Sequence, residues 1–233
     1  RMLLEQGRLL LEAAEHLVGE TRALARGWET DITIAVDALV PLQALYPLVE
    51  RLAELTDTRL RLRAEVLAGS WECLEDGRAD LLISSLNPDI TLTGIKHQPL
   101  QEEVMLYVAH PDHPLHGEPE PLADETLRRY RAIAIADTAR RKPALTYRLL
   151  DKQPRLTVST MGEKRDALLA GIGVGTMPLS WIEEDIKAGR LKVIGPEYRH
   201  QVQVVLVWRR DTMGKAKSWL VREIPKLFPC KGE

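Results

Sequence analysis

Arg59-Leu60-Arg61-Leu62-Arg63-Ala64-Glu65-Val66 alternates without a break: Leu60, Leu62, Ala64 and Val66 share one side, and Arg59, Arg61, Arg63 and Glu65 the other. Successive side chains of an extended chain point to opposite faces, so this stretch is predicted to be a strand with its apolar side on a core. Before it, residues 31–36 place Ile32, Ile34 and Val36 on one face in the same way. Between the two, Leu42, Leu45, Leu48, Val49, Leu52 and Leu55 recur at helical spacing behind Pro41, a residue suited to a first helical turn. After it, a short helix from about Ser70 ends near Gly77, and Leu81-Leu82-Ile83 reads as a buried strand. Parallel strands need a crossover between them, so strand, helix, strand, helix, strand predicts a doubly wound α/β sheet.

A second set follows. Residues 104–109, 132–136 and 156–159 read as strands, with a helix over 163–170. The glycine-punctuated run 171–178 holds a short strand over 174–177, and a helix over 180–188 stops at Gly189. The strand 202–208 and a helix over 214–227 end the chain without an evident place in this second set. At the other end, Leu3, Leu10, Leu17 and Leu24 recur every seven residues, with small residues at Gly7, Ala14 and Thr21. That pattern predicts a linker or dimerisation helix over residues 1–27.

The composition excludes several classes. The 233 residues carry a net charge of −2, 45% hydrophobic and 28% charged residues, and so no basic footprint for nucleic acid in this stretch. No apolar run approaches the ~20 residues of a membrane span, and Arg1-Met2-Leu3-Leu4-Glu5-Gln6 does not read as an export signal. Cys73 and Cys230 lie far apart in no metal-like spacing, as expected of reduced thiols in a cytoplasmic protein. His110, His113 and His116 are three apart, but Pro111 and Pro114 forbid a regular helix, so no metal site is expected. The glycines of 171–178 lack the Lys-Ser/Thr of a phosphate loop and follow a helix, not a strand. No nucleophile elbow, metal-ligand pair on a helix or acid pair is evident, so neither catalysis nor a cofactor is expected. Arg140-Arg141-Lys142 reads as a solvated loop, or else as a contact for an anionic ligand or a neighbouring subunit.

Four stretches together carry a likeness: Leu74-Glu75-Asp76-Gly77-Arg78-Ala79-Asp80-Leu81-Leu82-Ile83, Tyr107-Val108-Ala109-His110-Pro111-Asp112-His113-Pro114-Leu115, the run 171–178, and Val207-Trp208-Arg209-Arg210-Asp211. In order and spacing they resemble the LysR-type transcriptional regulators. The resemblance implies two Rossmann-like lobes joined by two crossover strands, a periplasmic-binding-protein-like α/β fold preceded by a linker helix. Lobe I would comprise 29–99 and 198–233, and lobe II 100–197, with passages near Pro99-Leu100-Gln101 and Ile194-Gly195-Pro196. It further implies a small-molecule effector, an aromatic or organic acid, and promoter DNA contacted through a winged helix-turn-helix outside this chain. Homodimers or homotetramers in the cytoplasm are the implied assembly.

Ligands of such sheets bind beyond the carboxyl ends of the strands, between the lobes. Those ends supply Asp37, Ala38 and Leu39; Gly69 and Ser70; Ser84 and Ser85; Ala136, Asp137 and Thr138; and Thr160. Ser70 is expected to cap a helix whose N–H groups receive an anion, and Ser70→Trp to block the cleft without unfolding the protein. Asp37 stands where the family often has a small hydroxyl residue, and an ionised carboxylate there would repel an acid. The rival readings are a solute-binding protein serving a transporter, which needs export, and an α/β enzyme.

Overall fold

The computed structural model describes residues 27–86, 94–210 and 213–228. The predicted linker helix over 1–27 therefore lies, but for Gly27, outside the described residues.

The alternating stretches form the first half of the molecule. β1 (Asp31–Asp37) lies between β2 (Arg59–Glu65) and β3 (Leu81–Ser85) and is parallel to both, with Ile34 in register with Leu62 and with Leu81. Because side chains alternate, each strand feeds two cores. Ile32, Ile34, Val36, Leu81 and Ile83 pack against α1 (Tyr46–Ala53) and α6 (Lys215–Glu223), whereas Ala35 and Leu82 pack against Trp71, Cys73 and Leu74 of α2 (Ala68–Glu75). Helices thus cover both faces, as a doubly wound sheet requires.

Two long strands carry the chain between the halves. β4 (Ile95–Ala109) runs antiparallel to β9 (His200–Arg209), from Ile95 opposite Arg209 to Met105 opposite His200. Their register slips between Pro99 and Gln101, at the residue without an N–H to donate. Beyond this ribbon, β5 (Ala132–Ile135), β6 (Arg155–Val158) and β7 (Val174–Pro178) make the second half, with β7 antiparallel to β4 and β8 (Lys192–Val193) pairing β4. One face buries Leu106, Val108, Ile133 and Met177 under α4 (Met161–Leu169) and α5 (Leu179–Lys187). The other buries Tyr107, Ala109, Leu115, Leu122 and Leu127, the last on the short helix α3 (Asp124–Leu127). The result is a mixed α/β sheet, order β2-β1-β3-β9-β4-β7-β5-β6, that the ribbon makes continuous while each half keeps its own cores.

Some expectations change in detail. At the end of β2 the faces exchange: Ala64 is exposed and Glu65 is buried, because Arg63 and Arg78 hold its carboxylate at 2.6 and 3.4 Å. The apolar stripe of α1 is wider than the face it buries: Leu45, Leu48 and Leu52 are in the core, but Val49 and Leu55 are 41% and 51% exposed. The chain returns along β9, and just before it Ile194 still donates to the Tyr107 carbonyl and packs in a core of the second half.

Candidate functional site

Where β1, β2 and β3 end, the two halves enclose a cleft of about 100 Å³. Asp37, Ala38, Leu39, Val66, Leu67 and Ser85 form the wall of the first half. Ile135, Tyr147, Met161, Lys164 and Thr176 form the facing wall, and Met105 and Val202 of the crossing strands form the back. The largely apolar lining, with a few polar groups, suits a small organic molecule.

Asp37 ties the first wall together. Its Oδ1 accepts from the Leu39 N–H at 3.0 Å, and its Oδ2 from the Leu67 N–H at 3.1 Å and the Ser70 hydroxyl at 2.6 Å. Burial pushes the Asp37 carboxyl up, against the pull of those three bonds. Leu67 adopts φ 51° and ψ −123°, a conformation costly for a side chain with a Cβ. The strain is held in place by the bond to Asp37 and puts Leu67 on the cleft wall.

Lys164 stands on the facing wall. The capping box of Thr160 and Glu163 starts α4, and from there Met161 and Lys164, one turn apart, turn inward with Ala167 and Leu168. Burial alone pushes the Lys164 ammonium down, to about 8.

The halves also touch directly beside the cleft. Asp137, just after β5, accepts from the N–H groups of Ala68 and Gly69 at the start of α2, at 3.3 and 3.0 Å, and from those of Ala139 and Leu145. In return Glu72 of α2 accepts from the N–H groups of Arg140, Arg141 and Lys142 at 3.1–3.2 Å. Burial acts to raise the Glu72 carboxyl, but the amides prevail and hold it below the usual range. Gly69 is required for this approach, since a Cβ there would fall 2.5 Å from the Thr138 carbonyl carbon.

Of the residues expected at the site, the structure brings Asp37, Ala38, Leu39 and Ser85 together at the cleft. Gly69, Ser70, Ser84, Ala136, Asp137, Thr138 and Thr160 do not line it. Ser70 is 0% exposed behind Asp37, so a tryptophan there would disrupt the core and not merely fill the cleft. The helix N-terminus assigned to an anion is occupied by the protein's own Asp137, and Thr138 reaches across to the Val66 N–H at 2.9 Å. Thr160 is spent on its cap. Met105, Ile135, Tyr147, Met161, Lys164 and Thr176 were missed, although Met161 and Lys164 sit at the helical spacing of an inward face.

The other motifs have structural employment. His110 and His113 accept from the backbone of Asp112 and Leu115, and His116 bonds to the His110 carbonyl. The basic run is exposed to solvent, as a solvated loop should be, while its backbone seats Glu72, Arg141 pairs with Asp76, and Lys142 pairs with Glu75. Among the described residues no helix is long and apolar enough to cross a membrane.

Residues 25–228 match the LysR substrate binding domain family. The chain is 55% identical over 234 residues to the probable HTH-type transcriptional regulator YhaJ of Escherichia coli strain K12, covering 99% of this chain and 78% of the relative. The uncharacterized HTH-type transcriptional regulator YeeY of the same strain is 32% identical over 228 residues, covering 96% and 73%. Among solved structures, full-length LysG from Corynebacterium glutamicum with bound effector Arg superposes with a TM-score of 0.68 at 19% identity, covering 96% of this chain and 78% of that one. The regulatory domain of CrgA from Neisseria meningitidis gives 0.61 at 17% identity, covering 85% and 98%; both share the fold. The two-walled cleft, the crossed ribbon and this family match agree: the chain belongs to the LysR-type transcriptional regulators and is their effector-binding domain.

Proposed function

We propose that this domain senses a small organic molecule in the cleft between its lobes and so controls transcription. A single observation carries the reading: one small, mostly apolar cavity is walled by both halves at once, so an occupant must respond to their relative position. Asp37, Ala38, Leu39 and Ser85 supply the contacts of the first lobe, and Lys164 and Thr176 those of the second. Lobe I is taken as 29–99 with 198–233, and lobe II as 100–197. The effector shifts the balance between lobe arrangements by its differential affinity for them, and by no more than that.

The output is promoter binding through a winged helix-turn-helix in the full-length regulator, acting as a homodimer or homotetramer in the cytoplasm. The domain acts as a sensor, its cleft holding one aspartate and one lysine on facing walls. Relatives named as HTH-type regulators do not favour the transporter reading.

The test fills the cavity. Ala38→Trp and Ser85→Trp in a full-length regulator carrying this domain should abolish the response of a promoter reporter while the protein stays folded by circular dichroism. A normal response in both variants would refute the site.

A further inference from the structure

Lys164 is 7% exposed and lines the cleft, yet among the described residues its ammonium has neither a hydrogen bond nor an ion pair. A buried cation without a partner costs folding stability, and an apolar side chain of similar length would fill the space more cheaply. The surroundings are nevertheless shaped to admit it. A Cβ at Gly175 would fall 3.2 Å from the Lys164 Cε and 3.0 Å from the Ile133 carbonyl, so the glycine leaves room for the lysine's stem. The carboxylate facing it across the cleft does not serve as its counterion. Asp37 is already engaged by Leu39, Leu67 and Ser70, and no charge interaction with Lys164 accompanies its burial.

We propose that Lys164 is the anion-recognising residue of the cleft, and that the effector is an organic acid whose carboxylate pairs with this ammonium while its apolar body lies against Met105, Met161, Ile135 and Val202. This inference rests on the cleft being the effector site. An inorganic anion would leave those apolar walls uncovered, whereas an organic body buries them. The start of α2 offers no competing anion site, because Asp137 fills it. The acid group therefore sits at the second lobe's wall, where the Lys164 ammonium offsets its charge.

The test uses matched acids and amides, benzoate against benzamide and hexanoate against hexanamide, at millimolar concentration with this 233-residue chain. Thermal denaturation and calorimetry are followed for the wild type, Lys164→Met, Lys164→Gln and Lys164→Arg. At least one acid should raise the melting temperature while its amide does not. Lys164→Met and Lys164→Gln should each lose more than about tenfold in affinity, and Lys164→Arg should retain part of it. Lys164→Met should melt no lower than the wild type without ligand, which a merely structural lysine would not allow. Equal protection by acid and amide, or protection surviving in Lys164→Met, overturns the anion assignment; the cleft reading then stands if Ala38→Trp abolishes that protection. Failure of every acid and every amide to protect overturns both.

Discussion

Asp137 and Glu72 are exchanged across the gap between the lobes: each carboxylate sits among backbone N–H groups of the other's segment. Asp137 meets the positive end of the α2 dipole, a placement that favours an anion. Asp137→Ala should lower stability by about 1–3 kcal/mol, because the freed amides are left without their acceptor. Urea denaturation measures the loss. Hydrogen exchange should quicken at the Gly69, Ala139 and Leu145 amides, and unchanged exchange there would mean the clasp is not closed in solution.

Lys164 makes stability depend on alkaline pH. Burial pushes its ammonium down to about 8 from a lysine's ordinary 10.5, so between these values the unfolded chain holds the extra proton. Stability contributed by this residue therefore rises as pH climbs through that window. Lys164→Met should flatten the rise and add about 1–3 kcal/mol at neutral pH. Chemical denaturation of both proteins at matched pH values isolates the difference from other titrating groups.

Asp185 provides the opposite slope. Fully buried on α5, it is held by Arg165 at 2.6 and 2.8 Å and by Arg190 at 2.6 Å. Burial acts to raise its carboxyl, but the two guanidinium groups outweigh burial and hold it low. Its contribution is present above the unfolded carboxylate's pKa and is lost as pH falls through the depressed value. Asp185→Asn should cost about 2–4 kcal/mol at neutral pH, short of a fully buried pair because both arginines reach solvent. The variant should also lose less stability on acidification than the wild type, as acid titration followed by circular dichroism would report.

Leu67 reverses the usual ranking of alanine over glycine. At φ 51° and ψ −123° a Cβ is strained by about 1–3 kcal/mol, and glycine is free of that penalty. Leu67→Gly should be at least as stable as Leu67→Ala in equilibrium denaturation. Greater stability of the alanine variant would show that the strain is relaxed in solution.

The strands and helices of both halves were legible because their periods are clean, and strand ends pointed to Asp37, Ala38, Leu39 and Ser85, which line the proposed site. Lys164 was not. It lies in Glu163-Lys164-Arg165-Asp166, which by composition reads as a solvated turn of helix, and only packing against β7 turns one of the four inward. Gly69 and Ser70 lie off the cleft lining for a different reason. The pattern announces a helix N-terminus in want of an anion, but Asp137, distant in the chain, supplies it after folding. Tyr147 belongs to a long connection without regular structure, whose course is set by contacts that no local pattern encodes.

Because β4 and β9 are bonded to each other along their length, the two covalent passages between the lobes behave as a single leaf spring. Sliding one lobe past the other would shear the ladder, whereas flexing the pair at the irregularity beside Pro99 would leave most bonds intact. A hinge about one line is thus the motion that costs this ladder least.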